Sequence, residues 1–244
     1  MKIKFLGTSH GVPMPGRYYQ SFLIEAGENA YLVDAGAPVM DILINEGYDL
    51  EKIKAVFVTH LHADHMNGLA DMIGLATWYY EEMNFAVYLP EQRGIDAIIE
   101  DCKMPLNGET TDRISYHLIE EGVCFDDGVL KVTAVHTEHM ATTTNIAFGF
   151  LLEAAGRKLY VSGDLSSSLR DFPSVVLKED VDALVVECAH FPAARLMEKL
   201  QDVTAKKVMI VHVFPVEKYD TLKEGLKDAA FEAIYPNDGE EYSV

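Results

Sequence analysis

The chain has 244 residues, 49% hydrophobic and 24% charged, the composition of a folded protein long enough to bury a substantial core. Its formal net charge is −19, from 39 acidic and 20 basic residues. That field opposes non-specific binding to nucleic acid or an anionic membrane, but not capture of a small anion beside a local metal charge.

In chain order, "MKIKFLG" alternates and reads as a first strand, followed by a glycine/proline loop at residues 8–16. The start turns to glycine and polar residues too early for a signal peptide. "YQSFLIEAG" and "AYLVDAG" read as two strands joined near Glu28 and Asn29. "PVMDILINEGY" reads as a short helix stopped by Gly47. "IKAVFVT", residues 53–59, is a strongly apolar strand. From Asp64 the apolar spacing of Met66, Leu69, Ile73 and Ala76 predicts a helix. "FAVYLP" predicts a strand, "GIDAIIEDCK" a helix, and 105–127 is too mixed to assign. "GVLKVTAVHTEH", "TNIAFGFLLEA" and "KLYVSGD" predict strands, the last two paired around Gly156. "VDALVVECAH" predicts a buried strand, "PAARLMEKLQ" a helix with Pro192 near its first turn, "KKVMIVHVFP" a last central strand and "YDTLKEGLKDA" a last helix. Strands interrupted by helices predict an α/β fold, with one domain over residues 1–244.

No run approaches the ~18 apolar residues of a membrane span. Cys102, Cys124 and Cys188 form no CxxC pair, so a reducing, cytoplasmic setting is expected.

"FVTHLHADHMNG" places His60, His62, Asp64 and His65 within six residues, directly after an apolar strand. Further polar residues recur where apolar strands end: His139, Asp164, His190 and His212. Loops at strand ends are favoured places for sites. Imidazole and carboxylate together suit zinc, manganese or iron. The surplus of donors favours two ions: His60 and His62 on one, Asp64 and His65 on a neighbour. A single structural zinc would close its shell with four ligands; more than four implies an open site.

At these residues the chain resembles the metallo-β-lactamase superfamily, whose HxHxDH signature stands complete as His60, His62, Asp64 and His65. The resemblance runs from "LGTSHGVP" to "VHVFP". It implies a four-layer αββα sandwich of two mixed sheets and two divalent ions, zinc or manganese. By that resemblance His60, His62 and a third histidine hold the first metal. The third is His136 or His139, and "IAFGF" downstream resembles the phosphodiesterase branch, which selects His139. Asp164 in "SGD" resembles the bridging carboxylate, and Asp64, His65 and His212 complete the second site. Asp64 also resembles a residue that orients the attacking water.

"GTSHGVPMPGR" and "LVDAG" are similar to tRNA 3′-processing endonucleases and their small phosphodiesterase relatives, although "GAPV" stands where those endonucleases often have "GEGT". Only 24 residues separate His139 from Asp164, and a strand pair fills them, leaving no room for the long tRNA-binding arm of such endonucleases. Together with the charge, this points from tRNA to a small substrate such as a nucleotide or cyclic phosphate. "HFPAARL" resembles the family's "HxTA" context with proline for threonine, which implies that His190 assists the leaving group; the alternative is packing at a strand–helix junction. His10 and Arg17 lie in the early loop as candidate substrate contacts, against simple turn roles. Trp78, Tyr79 and Tyr80 suit either a ring pocket or the core, and His117 reads as structural.

The implied function is a dimetal phosphodiesterase. A thioesterase or lactonase of the same fold, and a non-catalytic metal-containing binding protein, are the alternatives. Flavin-linked diiron relatives carry glutamate where His62 stands, which argues for hydrolysis. A homodimer is the base-rate expectation.

Overall fold

The computed structural model describes residues 1–12, 14–104 and 111–244. The chain divides into two compact units, one formed mainly by Lys2–Ile119 and the other mainly by Glu120–Asn237. Pro13 of the early loop motif and residues 105–110 of the unassigned stretch lie outside the described residues.

The first unit begins with β1 (Lys2–Gly7), β2 (Ser21–Ala26) and β3 (Asn29–Val33), a meander of antiparallel pairs. Helix α1 (Val39–Asn45) and a 3₁₀ turn at Leu50–Lys52 lead to β4 (Ile53–Phe57), which lies parallel to β3. Two helices follow, α2 (Ala63–Met66) and α3 (Leu69–Trp78), where the sequence predicts one. The break has a physical cause. The Gly68 amide donates to Ala35 O at 2.9 Å, and Asn67 Oδ1 accepts the Ala37 amide at 2.7 Å, so backbone and side chain bond the 35–37 loop there. β5 (Phe85–Leu89), α4 (Gln92–Lys103) and β6 (Ile114–Leu118) complete the parallel run.

Alternation decides which residues meet the helices. Leu6, Leu23, Leu32, Val56 and Val87 share a core with Val39, Leu43, Met72, Ile73 and Ile98 of the helices. The intervening Phe5, Phe22, Tyr31, Val33 and Phe57 are also fully buried, so this sheet has two buried faces.

The second unit opens with β7 (Gly122–Asp126), β8 (Lys131–His136), β9 (Phe148–Ala154) and β10 (Arg157–Val161), all antiparallel neighbours. Ala155 and Gly156 close the β9–β10 hairpin, both with positive φ (50° and 73°), the backbone a two-residue primed turn requires. Then come α5 (Val175–Lys178), β11 (Ala183–Cys188), α6 (Ala193–Leu200), β12 (Lys207–Val213), α7 (Lys218–Gly225) and β13 (Glu232–Ile234), with the four strands β10 to β13 parallel. In α6, Ala193, Leu196 and Leu200 recur at helical spacing and bury against Leu184, Val186, Val208 and Ile210. Its N-cap is Pro192, one position before the helix rather than within the first turn.

The last strand, β14 (Glu241–Ser243), returns to the first sheet beside β1. Each sheet is mixed and seven-stranded, in the orders β14-β1-β2-β3-β4-β5-β6 and β13-β12-β11-β10-β9-β8-β7. The three cysteines are free. No helix among the described residues is long and apolar enough to cross a membrane.

Candidate metal centre

In the first unit, β4 delivers the chain to Thr59 and the histidine cluster. His62 caps α2, which puts Asp64 and His65 on its single turn. Asp34, at the end of β3, organises this cluster from below. Its carboxylate accepts the Thr59 amide (2.8 Å), the Thr59 hydroxyl (3.0 Å) and the Gln20 amide (2.8 Å), and lies 2.8 Å from His65 Nδ1. All four residues are buried. Asp34 holds φ at +60°, a left-handed conformation that Asp tolerates better than most residues.

A carboxylate only accepts, so His65 Nδ1 carries the proton and Nε2 the lone pair. Nε2 lies 3.4 Å from Asp64 Oδ2. The Thr59 hydroxyl proton goes to Asp34, so its oxygen accepts from His60 Nδ1 at 3.1 Å, and His60 also presents Nε2 as a lone pair. That nitrogen lies 2.9 Å from His62 Nδ1. Imidazole nitrogens oriented by buried partners on the far side of the ring suit a cation. Gly36 is required beneath them: a Cβ there would stand 2.5 Å from Asp64 O and 2.7 Å from Gln20 O.

His10 is buried in the early loop, and its Nδ1 accepts the Val12 amide at 3.2 Å. The Arg17 guanidinium donates to the Thr8 hydroxyl, which in turn donates to Asp238 at 2.6 Å. Burial pushes the Asp238 carboxyl above its ordinary value, although Thr8, Tyr18 and Arg17 oppose that shift. Arg17 is thus engaged within its own loop region. Trp78 and Tyr79 are exposed, whereas Tyr80 packs on the first core. The His117 ring stacks on Tyr88 at 4.7 Å.

In the second unit, Asp164 follows β10 and is buried. His139 Nε2 lies 3.6 Å from its Oδ2, His190 Nε2 3.8 Å from the same oxygen, and His212 Nδ1 3.7 Å from Oδ1. Donor atoms of Asp164, His190 and His212 all fall within 4.8 Å of one another. His136 points elsewhere, donating from Nε2 to Asn145 O at 2.8 Å. The loops are tied together: the Thr137 hydroxyl donates to Asp164 O, and Asp171 accepts both the Glu138 and Ser166 amides at 2.8 Å. His212 holds φ at +50°, a left-handed conformation at the penultimate residue of strand β12.

Glu187, buried in β11, is the partner that sequence reasoning missed. Its carboxylate lies 2.8 Å from His190 Nδ1 and accepts the amides of Leu165 (2.8 Å) and Ala189 (2.7 Å). The signal was present: a lone acid inside the apolar run "ALVVEC" is rarely buried without a task.

Solved structures align with the whole chain. The metallo-β-lactamase fold protein YhfI from Bacillus subtilis matches with a TM-score of 0.75 at 19% identity, over 99% of both chains. A diphosphatase from the PhnP family matches with a TM-score of 0.71 at 17% identity, over 99% of this chain and 96% of that one. The architecture is therefore the αββα metallo-β-lactamase fold, and the clustered histidines and aspartates support a metal-binding hydrolase of that fold. The family profile described as anti-Pycsar protein Apyc1 matches residues 1–226, and the chain belongs to that family. Ribonuclease Z of Bacillus subtilis (strain 168) is 31% identical over 156 residues, 63% of this chain and 49% of that protein. The chain thus spans about half the length of the curated relatives it matches.

Proposed function

We propose that the chain is a metal-dependent phosphodiesterase acting on a small phosphodiester: a cyclic nucleotide, a cyclic phosphate or a nucleotide derivative. In this reading residues 1–244 act as one domain. The observation that carries it is the donor set, imidazole nitrogens and carboxylate oxygens at strand ends, with lone pairs aimed by Asp34 and Thr59 in the first unit and donors gathered around Asp164 in the second. His60, His62, His139 and Asp164 would hold one divalent ion. Asp64, His65 and His212, sharing Asp164, would hold a second. Zinc and manganese both suit these donors. Metal bound there supplies Lewis-acid charge and a water acidified to near neutrality.

The chain's own residues do the rest. Asp64, held beside His65, orients the attacking water. Glu187 accepts from His190 Nδ1 and would stabilise the doubly protonated ring, whose Nε2–H is the proton passed to the departing oxygen, leaving neutral His190 with its proton on Nδ1. The hairpin between His139 and Asp164 and the net charge of −19 favour a small substrate over a long RNA. A diphosphatase among the proteins of similar fold is in keeping with phosphorus chemistry.

The test starts from metal-free protein reconstituted separately with zinc and manganese. Bis(p-nitrophenyl) phosphate, cyclic nucleotides, a thioester, a lactone and a pre-tRNA are assayed side by side, with metal content measured on the same samples. About two metals per chain and phosphodiester turnover are expected, both lost on His62→Ala or Asp164→Ala. Turnover confined to the thioester or lactone would move the protein to another hydrolase class, and bound metal without turnover to a binding protein.

A further inference from the structure

Lys218 stands at the first position of α7, where a cation opposes the helix dipole. Its ammonium faces away from that conflict into three backbone carbonyls: Cys188 O at 2.9 Å, Ala189 O at 3.0 Å and Phe191 O at 2.7 Å. An ammonium has three N–H bonds, and all three are used on one four-residue loop. That loop carries His190. On its opposite side the Glu187 carboxylate accepts the amides of Ala189 (2.7 Å) and His190 (3.3 Å) as well as lying against the His190 ring. The loop is therefore gripped by an anion on its N–H groups and by a cation on its C=O groups. The cation comes from the segment just after His212, and the Phe214 amide adds a bond to Cys188 O at 3.4 Å.

We propose that Lys218 is a positioning residue for leaving-group protonation, clamping the 188–191 loop so that the His190 ring keeps its place beside Asp164. This rests on the phosphodiesterase reading, in which His190 gives a proton to the departing oxygen. Lys218 touches neither substrate nor metal ligand side chains in that scheme; it acts through the loop.

Leaving-group chemistry separates this role from general support of the fold. A p-nitrophenolate departs without a proton, whereas the alkoxide of a cyclic nucleotide needs one. Lys218→Met keeps an unbranched side chain one atom shorter and removes all three donors. Its kcat on a cyclic nucleotide is expected to fall about 10- to 100-fold with KM little changed, against less than about threefold on bis(p-nitrophenyl) phosphate, the pattern also expected of His190→Ala. Lys218→Arg, which keeps charge and donors, should recover most of the loss. Independently of turnover, amide hydrogen exchange at Ala189 and His190 should quicken at least about tenfold in Lys218→Met while the β11 and β12 core amides stay protected.

Equal losses on both substrates, or unchanged exchange at residues 189 and 190, would overturn the proposal. If Lys218→Met does not fold, Lys218→Gln is read against the same two criteria. If the unaltered protein cleaves no phosphodiester, the functional reading fails by itself, and the exchange measurement still decides whether Lys218 holds the loop.

Discussion

Asp34 shows how much one side chain can organise. It accepts from four buried donors, two of them on Thr59 and one on His65. Asp34→Asn would turn an NH₂ toward at least one of those donors. The expected cost is about 2–4 kcal/mol in urea unfolding, and metal affinity should fall about 10- to 100-fold in a chelator competition, because His65 loses the partner that sets its tautomer. A second carboxylate contributes to acid stability. Burial pushes Asp182 up, but the Lys158 amide, Arg157 and Lys206 outweigh it, and the group lies below its ordinary value. A lowered folded value means the stabilisation is complete above the unfolded value of about 3.9 and is lost as pH falls through the folded one. Asp182→Asn should therefore flatten the acid limb of urea midpoints measured below about pH 4 while leaving neutral behaviour less affected. The histidines of "HLHADH" were legible because they sit together in the chain. Glu187, Gln20 and Lys218 were not assigned, because what they bond is decided by tertiary contacts that no local spacing encodes.

Among the elements, those with a buried apolar pattern were readable and those at sheet edges were not. β4, β5, β11 and β12 carry continuous apolar runs, and α4 and α6 carry helical spacing, so type and place agree with the sequence expectations. β6 and β7 are the outer strands of their sheets and bury only Ile114 fully, which erases the alternation and explains why 111–127 has no clear pattern. β13 and β14 have three residues each, too short for any period. The α2–α3 break escaped notice because Met66, Leu69, Ile73 and Ala76 keep helical spacing across it. The β9–β10 pair makes a testable demand. A Cβ on Gly149 would stand 2.6 Å from Tyr160 Oη, 2.7 Å from Ser162 O and 2.9 Å from Val161 O. Gly149→Ala must push apart the strand that leads to Asp164, so a loss of about 1–3 kcal/mol is expected in thermal unfolding, together with lower metal occupancy.

For the molecule as a whole, a net charge of −19 sets the terms on which an anion approaches. The proposed substrate must cross a repulsive field before it reaches any local positive charge. Salt screens that field within about 10 Å at 0.1 M, so kcat/KM for a phosphodiester should rise a few-fold between about 10 and 150 mM salt, read from initial rates at substrate well below KM. An RNA-binding enzyme would respond in the opposite sense. The fold class was legible because one motif after one strand carried it, whereas the expectation of a small substrate rests only on an interval of chain. That interval, the hairpin closed by Ala155 and Gly156, has a kinetic consequence. An enzyme gains rate from distant parts of its substrate only where it has somewhere distant to hold them. With a tight turn in that interval, nucleotides added beyond the scissile ester have no grip there to reward them. If the proposed phosphodiesterase reading holds, selectivity rests on the groups flanking the phosphorus, and a long polymer and its terminal fragment are expected to be equivalent competitors.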